Sequence, residues 1–517
     1  MAYKTHIHIL DNDSLLQIFD HYRLNHKYDW NGQLMWRKLT HVCRRWRSII
    51  FNSWFHLDIR LHLTIYGNSR SVGALSHLPP LPLVIDYSIW ANAGTLRDRD
   101  NVRLGLQQHG RVCRIDLMAP LSRLRIWLEP MNTLYPRLEY LSLSSTTVEA
   151  INPILPETFL APDLRHLALH GIGLPKGLPL LSSSIILSSL SLTNIRACCY
   201  FPPVDLVTQL QGLPLLEELS IGFAIPIPLP SSEGDLLPFP ILPVTLPILR
   251  RLTFRGVDVY LDNFVAQINA PLLERLTLKL FFSITFTLMN LNEFVGRIER
   301  FEFPAAEISF SGFLGPFVKI VAGHGELPGL EKFSLHISCG RLDWLFDSAA
   351  QVCGALTNVM STVEDLEFVL HMDRMPSDWD NTRDDMLWNE LLLPFLSVKK
   401  LRMFDPLTLD FSQVLESTTG GLDLELLPKL QKFDTVLQTD RVKEAFSMFA
   451  ETRRSMGRPV HVPGLPPAVV HAEPEISHVE PEVSHTEPEL SHTEPEISHV
   501  EPEVSHRTGC TCTMCRA

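Results

Sequence analysis

The sequence predicts an α/β fold: a small helical unit, then an irregular solenoid with parallel strands inside and helices outside, then a disordered tail. Three observations carry this. Over the first 60 residues, apolar side chains recur at helical spacing. Between about residues 110 and 445, the motif apolar-x-x-apolar-x-apolar appears twelve times. From His471 a seven-residue unit rich in Glu and Pro repeats to His506.

The helical unit is expected to span residues 1–60. Asp11 or Asp13 can cap a helix over "SLLQIFDHY". Leu15, Ile18, Phe19 and Tyr22 then share one face. After the polar loop "RLNHKYDWNG", a second helix is expected, with Trp36, Leu39, Val42, Cys43, Trp46, Ile49 and Ile50 on one continuous stripe. Lys38, Arg44, Arg45 and Arg47 fall mainly on its flanks. So short a piece holds little core alone, and its two tryptophans point to a surface borrowed from a partner.

Residues 61–109 are read as a connecting segment and 110–455 as the solenoid. The motif starts at Val112, Leu138, Leu164, Leu187, Leu216, Leu249, Leu273, Ile298, Leu330, Val363, Val398 and Leu430, as in "LEYLSL", "LERLTL" and "IERFEF". Its fourth position is always apolar and its sixth is apolar except at Thr435. Apolar residues two apart, with a polar one between, alternate as a strand does. Proline often stands just before, as in "YPRLEYL" and "APLLERL", and ends the preceding element. Helical stretches lie between: "VDLVTQLQG" with Leu206, Val207 and Leu210 on one face, "LDNFVAQI" with Asp262 as a possible cap, "RLDWLFDSAAQVCGALTNVM" and "FSQVLEST". A strand plus a helix at each step is the signature of stacked repeats; because the spacing drifts, unrelated α/β domains are the alternative. A last helix, "DRVKEAFSMFAETRRS", with Val442, Ala445, Phe446 and Phe449 inward, is expected to close the array.

The tail is assigned to residues 456–517. A period of seven suggests a coiled coil, but proline in every unit forbids one. High charge predicts extended disorder, with no function required of it. A His-rich metal binder or a pH-sensitive acidic arm are the functional readings. The terminal "GCTCTMCRA" offers three thiols, whereas a closed zinc site wants four ligands.

Charge and composition exclude several classes. The net charge is −13, and residues 471–517 hold ten Glu against two Arg, so the rest is close to neutral. That argues against a nucleic-acid grip, which needs a concentrated basic surface. The nine cysteines are scattered without a disulfide spacing. No apolar segment follows the N-terminus and none is long enough for a membrane span. The expectation is a reduced intracellular protein, in cytoplasm or nucleus. No phosphate loop, zinc-protease motif or nucleophile elbow occurs, so no enzyme, cofactor, metal or catalytic residue is expected. The acidic stretch Asp373–Asp385 lacks the glycine and glutamate of a calcium loop and reads as solvated loop. His166, His170 and His336 read as strand-surface residues.

The first region, "ILDNDSLLQIFDHY…WRKLTHVCRRWRSIIFNS", resembles an F-box. Leu10, Asp13, Leu15, Leu16, Ile18 and Phe19 match the first half of the family's pattern. Leu39, Val42, Cys43, Arg44, Trp46, Arg47 and Ile49 match the second. The longer stretch "VCRRWRSIIFNSWFHLDIRL", followed by "LPPLPLVIDY" and "RVCRIDL", is similar to F-box proteins with leucine-rich-repeat-like arrays of the type common in mushroom-forming fungi. The resemblance implies a substrate-recognition subunit of a cullin-RING ubiquitin ligase, binding a Skp-family adaptor and, through it, a cullin. It implies that Leu10, Leu15, Leu16, Ile18, Phe19, Val42 and Trp46 form the F-box core and adaptor interface. An unknown protein substrate would meet the array, on a face carrying Arg251, Arg255, Arg275, Lys279, Arg300 and Lys332; neither nucleic acid nor membrane is expected as a partner. Two departures stand out: Asp11 takes the place of the family's proline, and the loop through Lys27–Gln33 is longer. They motivate the alternative, a non-ligase interaction scaffold with a degenerate F-box.

Overall fold

Fifteen strands form one hydrogen-bonded sheet, and the chain is α/β in class. The computed structural model describes residues 9–25, 35–64, 80–88, 96–147, 152–226, 243–312, 315–323, 331–342, 344–371, 385–403, 407–409, 411–412, 426–435 and 440–463. The chain divides into Met1–Leu465 and Pro466–Ala517, and the second unit lies outside the described residues. So do the seven-residue repeats, the terminal thiols, nearly all of the acidic stretch Asp373–Asp385 and most of "FSQVLEST".

Seven strands open the sheet side by side in chain order: β1 (Leu61–Thr64), β2 (Leu83–Ser88), β3 (Val112–Ala119), β4 (Tyr140–Ser145), β5 (His166–His170), β6 (Ser189–Ile195) and β7 (Glu218–Phe223). All are parallel. The segment 61–109, expected only to connect, thus supplies the first two strands. A two-stranded ribbon of β8 (Val244–Thr245) and β10 (Ile268–Asn269) stands apart, while β9 (Arg251–Gly256) and β11 (Arg275–Phe281) continue the main sheet.

Beyond β11 the order breaks. β12 (Ala305–Ser311), β13 (Phe317–Ala322) and β14 (Phe333–Ser338) form an antiparallel meander laid down backwards: β14 pairs with β11, and β12 pairs with β15 (Asp365–His371). β16 (Lys400–Met403) and β17 (Lys432–Asp434) end the sheet in parallel. The expected strand in "IERFEF" is therefore corrected, since Ile298–Phe303 forms no strand and β12 starts after Pro304. Proline lacks the N–H a ladder needs; here its carbonyl accepts instead, from Glu364 N and Asp365 N at 2.9 Å each.

The strands are held by stacking in register. One ladder of directly opposed residues runs Leu117, Leu143, Leu169, Leu192, Ile221, Phe254, Leu278, Leu335, Ile320, Ile308, Phe368 and Met403. All are buried. Each such side chain contributes about 1.5–3 kcal/mol when fully buried, so the period-two pattern drives the fold. Helices cover this same side: Leu206, Val207 and Leu210 of the helix Pro203–Leu210 join the one apolar cluster, as their spacing predicts.

Asp262 does not start a helix. The helix runs Asp258–Ala266, and Asp262 lies buried inside it. Its carboxylate caps the next helix, Met289–Gly296, accepting from Leu291 N at 3.0 Å and Asn290 Nδ2 at 2.8 Å. Asp258 accepts from Thr287 N at 2.7 Å in the same way. Buried acids thus fasten consecutive helices, Asp262 through an N–H that the helix start leaves orphaned and Asp258 through the residue just ahead of the N-cap.

At the far end, the helix Asp440–Ser455 buries Val442, Ala445 and Phe446, with Phe446 and Phe433 rings 4.6 Å apart. Residues 456–463, assigned to the disordered tail, belong to the array instead. His461 forms a parallel bridge with Lys432, and Val460 and Val462 are buried.

Candidate interaction surfaces

The N-terminal unit holds α1 (Asn12–Asn25), α2 (Met35–Thr40) and α3 (Arg44–Asn52). Asp11 stands just before α1, and its Oδ1 accepts from Ser14 N at 2.7 Å. That bond holds its carboxyl below the usual carboxylate range. An aspartate in the proline position therefore starts the helix by capping rather than by a fixed φ.

The single stripe expected from Trp36 to Ile50 is broken in two. His41 and Val42 close α2 by bonds to Lys38 O and Leu39 O. Cys43, extended at φ −157°, caps α3, its Sγ accepting from Trp46 N at 3.5 Å. The break turns Val42 outward.

The seven residues assigned to the adaptor interface divide accordingly. Leu15, Phe19 and Trp46 are buried, with the Phe19 and Trp46 rings 4.8 Å apart, edge to face. Leu10 and Leu16 are half-buried. Ile18 and Val42 remain 44% and 58% exposed, against their assignment to the inner stripe. Ile9 and Phe55, which the sequence reading passed over, are each 77% exposed. The core that α1 and α3 build with Leu15, Phe19, Trp46, Ile49 and Ile50 runs on into Leu57, Ile59, Leu61 and Leu63 as one cluster. The cover expected from a partner is thus supplied by the chain's own sheet.

The flanking arginines act within the unit. Arg45 Nη2 donates to Leu10 O at 2.6 Å and to Asn12 Oδ1 at 2.9 Å. Arg47 Nε donates to Thr40 O at 2.9 Å. Arg45 and Arg47 therefore satisfy carbonyls at helix ends.

The second surface is the sheet face opposite the apolar ladder. Of the six cations predicted there, register places Arg251 opposite Arg275, and Arg255 opposite Lys279. Arg251 is neutralised by an ion pair with Glu218, its other cross-strand neighbour. Arg300 and Lys332 lie off the strands: Arg300 pairs with Glu274 at 3.6 Å, and Lys332 Nζ donates to Arg300 O at 3.3 Å. Arg275, Arg255 and Lys279 make no ion pair among the described residues, so the predicted stripe narrows to these three, with His336 beside them and Lys319 added. Lys279 faces His336, which faces Lys319. Lys319 escaped sequence reading because β13 does not follow the repeat, although "FVKIVA" after Gly315-Pro316 carries strand signals of its own.

His336 is half-buried and stacks on Phe317 with centroids 4.5 Å apart. Burial and the Lys279 and Lys319 charges push its pKa down. Its Nδ1 is buried and has no hydrogen-bond partner. Below this row lies a second, of directly opposed hydroxyls: Ser191, Ser220, Thr253, Thr277 and Ser334.

Among the described residues, no cluster of His, Cys, Asp or Glu is arranged to hold a metal ion. No described helix is long and apolar enough to cross a membrane.

Compared with known proteins, the chain matches no family model and no curated protein. Among solved structures it is similar to a TLR13–ssRNA13 complex, at 14% identity and a TM-score of 0.29. The match covers 72% of this chain and 46% of that one, so the chain spans less than half its length. A likeness of that degree transfers neither ligand nor partner.

Proposed function

We propose that this protein is a substrate-recognition subunit of a cullin-RING ubiquitin ligase, not itself an enzyme. In this reading α1–α3 are an F-box that docks a Skp-family adaptor, and the strand-and-helix array is a leucine-rich-repeat-like solenoid that captures a protein substrate. One observation carries it. The residues that match the F-box pattern fold as a short helical unit whose Leu15, Phe19 and Trp46 are core, while Ile9, Ile18 and Val42 stay exposed. Exposed aliphatics beside a half-buried Leu10 and Leu16 suit a hydrophobic docking surface. A contact of roughly 1,200–2,000 Å² would be of ordinary size for a stable complex.

Co-purification with a recombinant Skp-family adaptor tests this. Capture by the wild-type chain, lost in Ile18→Arg/Val42→Arg without loss of fold, is the expected result. Failure of the wild type to capture the adaptor rejects the reading. A second reading, a scaffold with a degenerate F-box, draws on the continuity of the helical core with the sheet. It predicts partners that bind through the array while ligase components stay absent.

A further inference from the structure

We propose that Cys198 and Cys199 form a dithiol site for a trivalent organic arsenoxide. The site stands whether or not the chain serves a ubiquitin ligase.

Of the nine cysteines only these two are adjacent, in "RACCYF". They end a single helical turn, Ala197–Cys199, between β6 and the helix Pro203–Leu210. Cys199 N donates to Arg196 O at 2.9 Å and Tyr200 N to Ala197 O at 3.3 Å, so backbone bonds fix the turn. Both thiols are free, with Cys198 exposed and Cys199 buried. Their sulfurs lie 3.6 Å apart. Gly173 gives the inner thiol its space: a Cβ there would collide with Cys199 Sγ and lie 2.9 Å from Cys199 Cβ. One thiol thus meets solvent while its neighbour anchors the pair in the apolar core.

Geometry and ligand number select the chemistry. A disulfide needs its sulfurs at about 2.05 Å and its Cα atoms roughly 4.4–6.8 Å apart, whereas neighbouring Cα atoms across a trans peptide are about 3.8 Å apart. The turn would have to open before a disulfide closed. Nor is Cys199 an activated thiol. Burial, together with the Cys198 thiol beside it, pushes its pKa up to about 12, while oxidation follows thiolate character. A closed zinc site wants four ligands, and among the described residues no third His, Cys, Asp or Glu joins the pair.

Trivalent arsenic asks for less, since it brings its own organic substituent and takes two sulfurs. With bonds of about 2.3 Å, the length of a zinc–thiolate bond, the 3.6 Å span sets the angle between the sulfurs at about 103°. A pyramidal three-coordinate centre adopts such an angle without moving the backbone. In the step itself both S–H bonds and the arsenic–oxygen bond break, and two As–S bonds form. The oxygen leaves as water with the two protons, and arsenic stays trivalent, so no oxidant or reductant is needed. Cys199 gives up its proton to the departing oxygen, which relieves it of ionising alone. Ile154, 48% exposed, comes within 3.4 Å of the same Cβ position at Gly173 and offers the organic substituent an apolar neighbour.

The tail thiols Cys510, Cys512 and Cys515 would compete. The test therefore uses the full-length folded chain carrying Cys510→Ser, Cys512→Ser and Cys515→Ser. Phenylarsine oxide is the probe, read by intact-mass spectrometry and peptide mapping. The expected result is one adduct per chain, at the mass of the arsenoxide less one water, on the peptide that holds Cys198 and Cys199. It should survive excess glutathione, a monothiol, and be removed by dithiothreitol. Cys198→Ser, at an exposed position, should keep the melting temperature and weaken binding by about a hundredfold or more, the loss when an intramolecular second contact is removed. The proposal is overturned by the absence of an adduct, by an adduct that glutathione strips, by full affinity in Cys198→Ser, or by an adduct that maps to cysteines elsewhere.

Discussion

Arg45 of α3 reaches back to the start of α1, its Nη2 2.6 Å from the Leu10 carbonyl oxygen. The same guanidinium holds Asn12 Oδ1 through Nη2 and Nε, at 2.9 and 3.3 Å. A residue that reads as basic surface in the sequence is a brace between two helices. We predict that Arg45→Ala lowers the stability of the helical unit by about 1–3 kcal/mol, the range for losing charge-assisted hydrogen bonds. The exposed neighbour Arg44→Ala should change it by about 0.5 kcal/mol or less. Hydrogen exchange of the α1 amides separates the two: faster in Arg45→Ala, unchanged in Arg44→Ala.

Trp46 has a different task, filling the space between α1 and α3 against Phe19. Truncating a buried Trp costs about 3–5 kcal/mol, which is enough to open so short a helical unit. Trp46→Ala is predicted to lose helical circular dichroism at lower urea than the wild type. Its loss of adaptor capture would then be structural. Ile18→Arg, at a 44% exposed position, is predicted to leave the unfolding curve in place and to affect capture alone. An Ile18→Arg chain that unfolds early would show that Ile18 is core after all.

These cases mark what was legible in the sequence. Leucines recurring at period two announce a strand whichever neighbour it pairs with, so most strands were placed correctly. The meander β12–β14 was not, because strand order depends on which edge a returning chain meets, and local pattern carries no record of that. Asp262 looked like a cap for its own helix; only the packing of consecutive units reveals that it serves Leu291. The cations were visible as residue types, but their pairing was not. Glu218 lies a strand away from Arg251 and register brings the two together, while Glu274 and Arg300 meet in the turns ahead of their strands. At Asp11 the sequence raised a concern about the missing proline, and Ser14 N resolves it for the helix itself.

Gly256 ends β9 where two rings converge. A Cβ there would lie 2.6 Å from Phe254 Cζ and 2.9 Å from Phe223 Cδ2. Both rings are buried, and Tyr260 packs against them at 5.8 and 4.8 Å between centroids. The rings have little room to retreat. Gly256→Ala is predicted to destabilise the chain by about 1–3 kcal/mol, the usual cost of overpacking a core. Phe254→Leu in the same background should recover part of that loss, since it removes the atom nearest the new methyl. Urea unfolding of the single and double variants measures both.

Asp258 and Asp262 give a pH signature opposite to ordinary acid denaturation. Burial raises both carboxyl pKa values, against the opposing pull of the hydrogen bonds from Thr287 to Asp258 and from Leu291 and Asn290 to Asp262. For Asp262 the Asp258 charge raises it further. A carboxyl whose folded pKa exceeds its unfolded value of 3.8 binds its proton more tightly in the fold. Its stabilising contribution is therefore complete below the unfolded value and is lost as pH rises through the folded one. Asp258→Asn removes the titration while leaving an oxygen to accept from Thr287 N. Stability is measured by urea unfolding of both chains between pH 4 and pH 7. The wild type is predicted to gain on the variant as pH falls across that window. A wild type that instead loses ground to Asp258→Asn on acidification would mean that the Thr287 hydrogen bond, and not burial, governs this carboxylate.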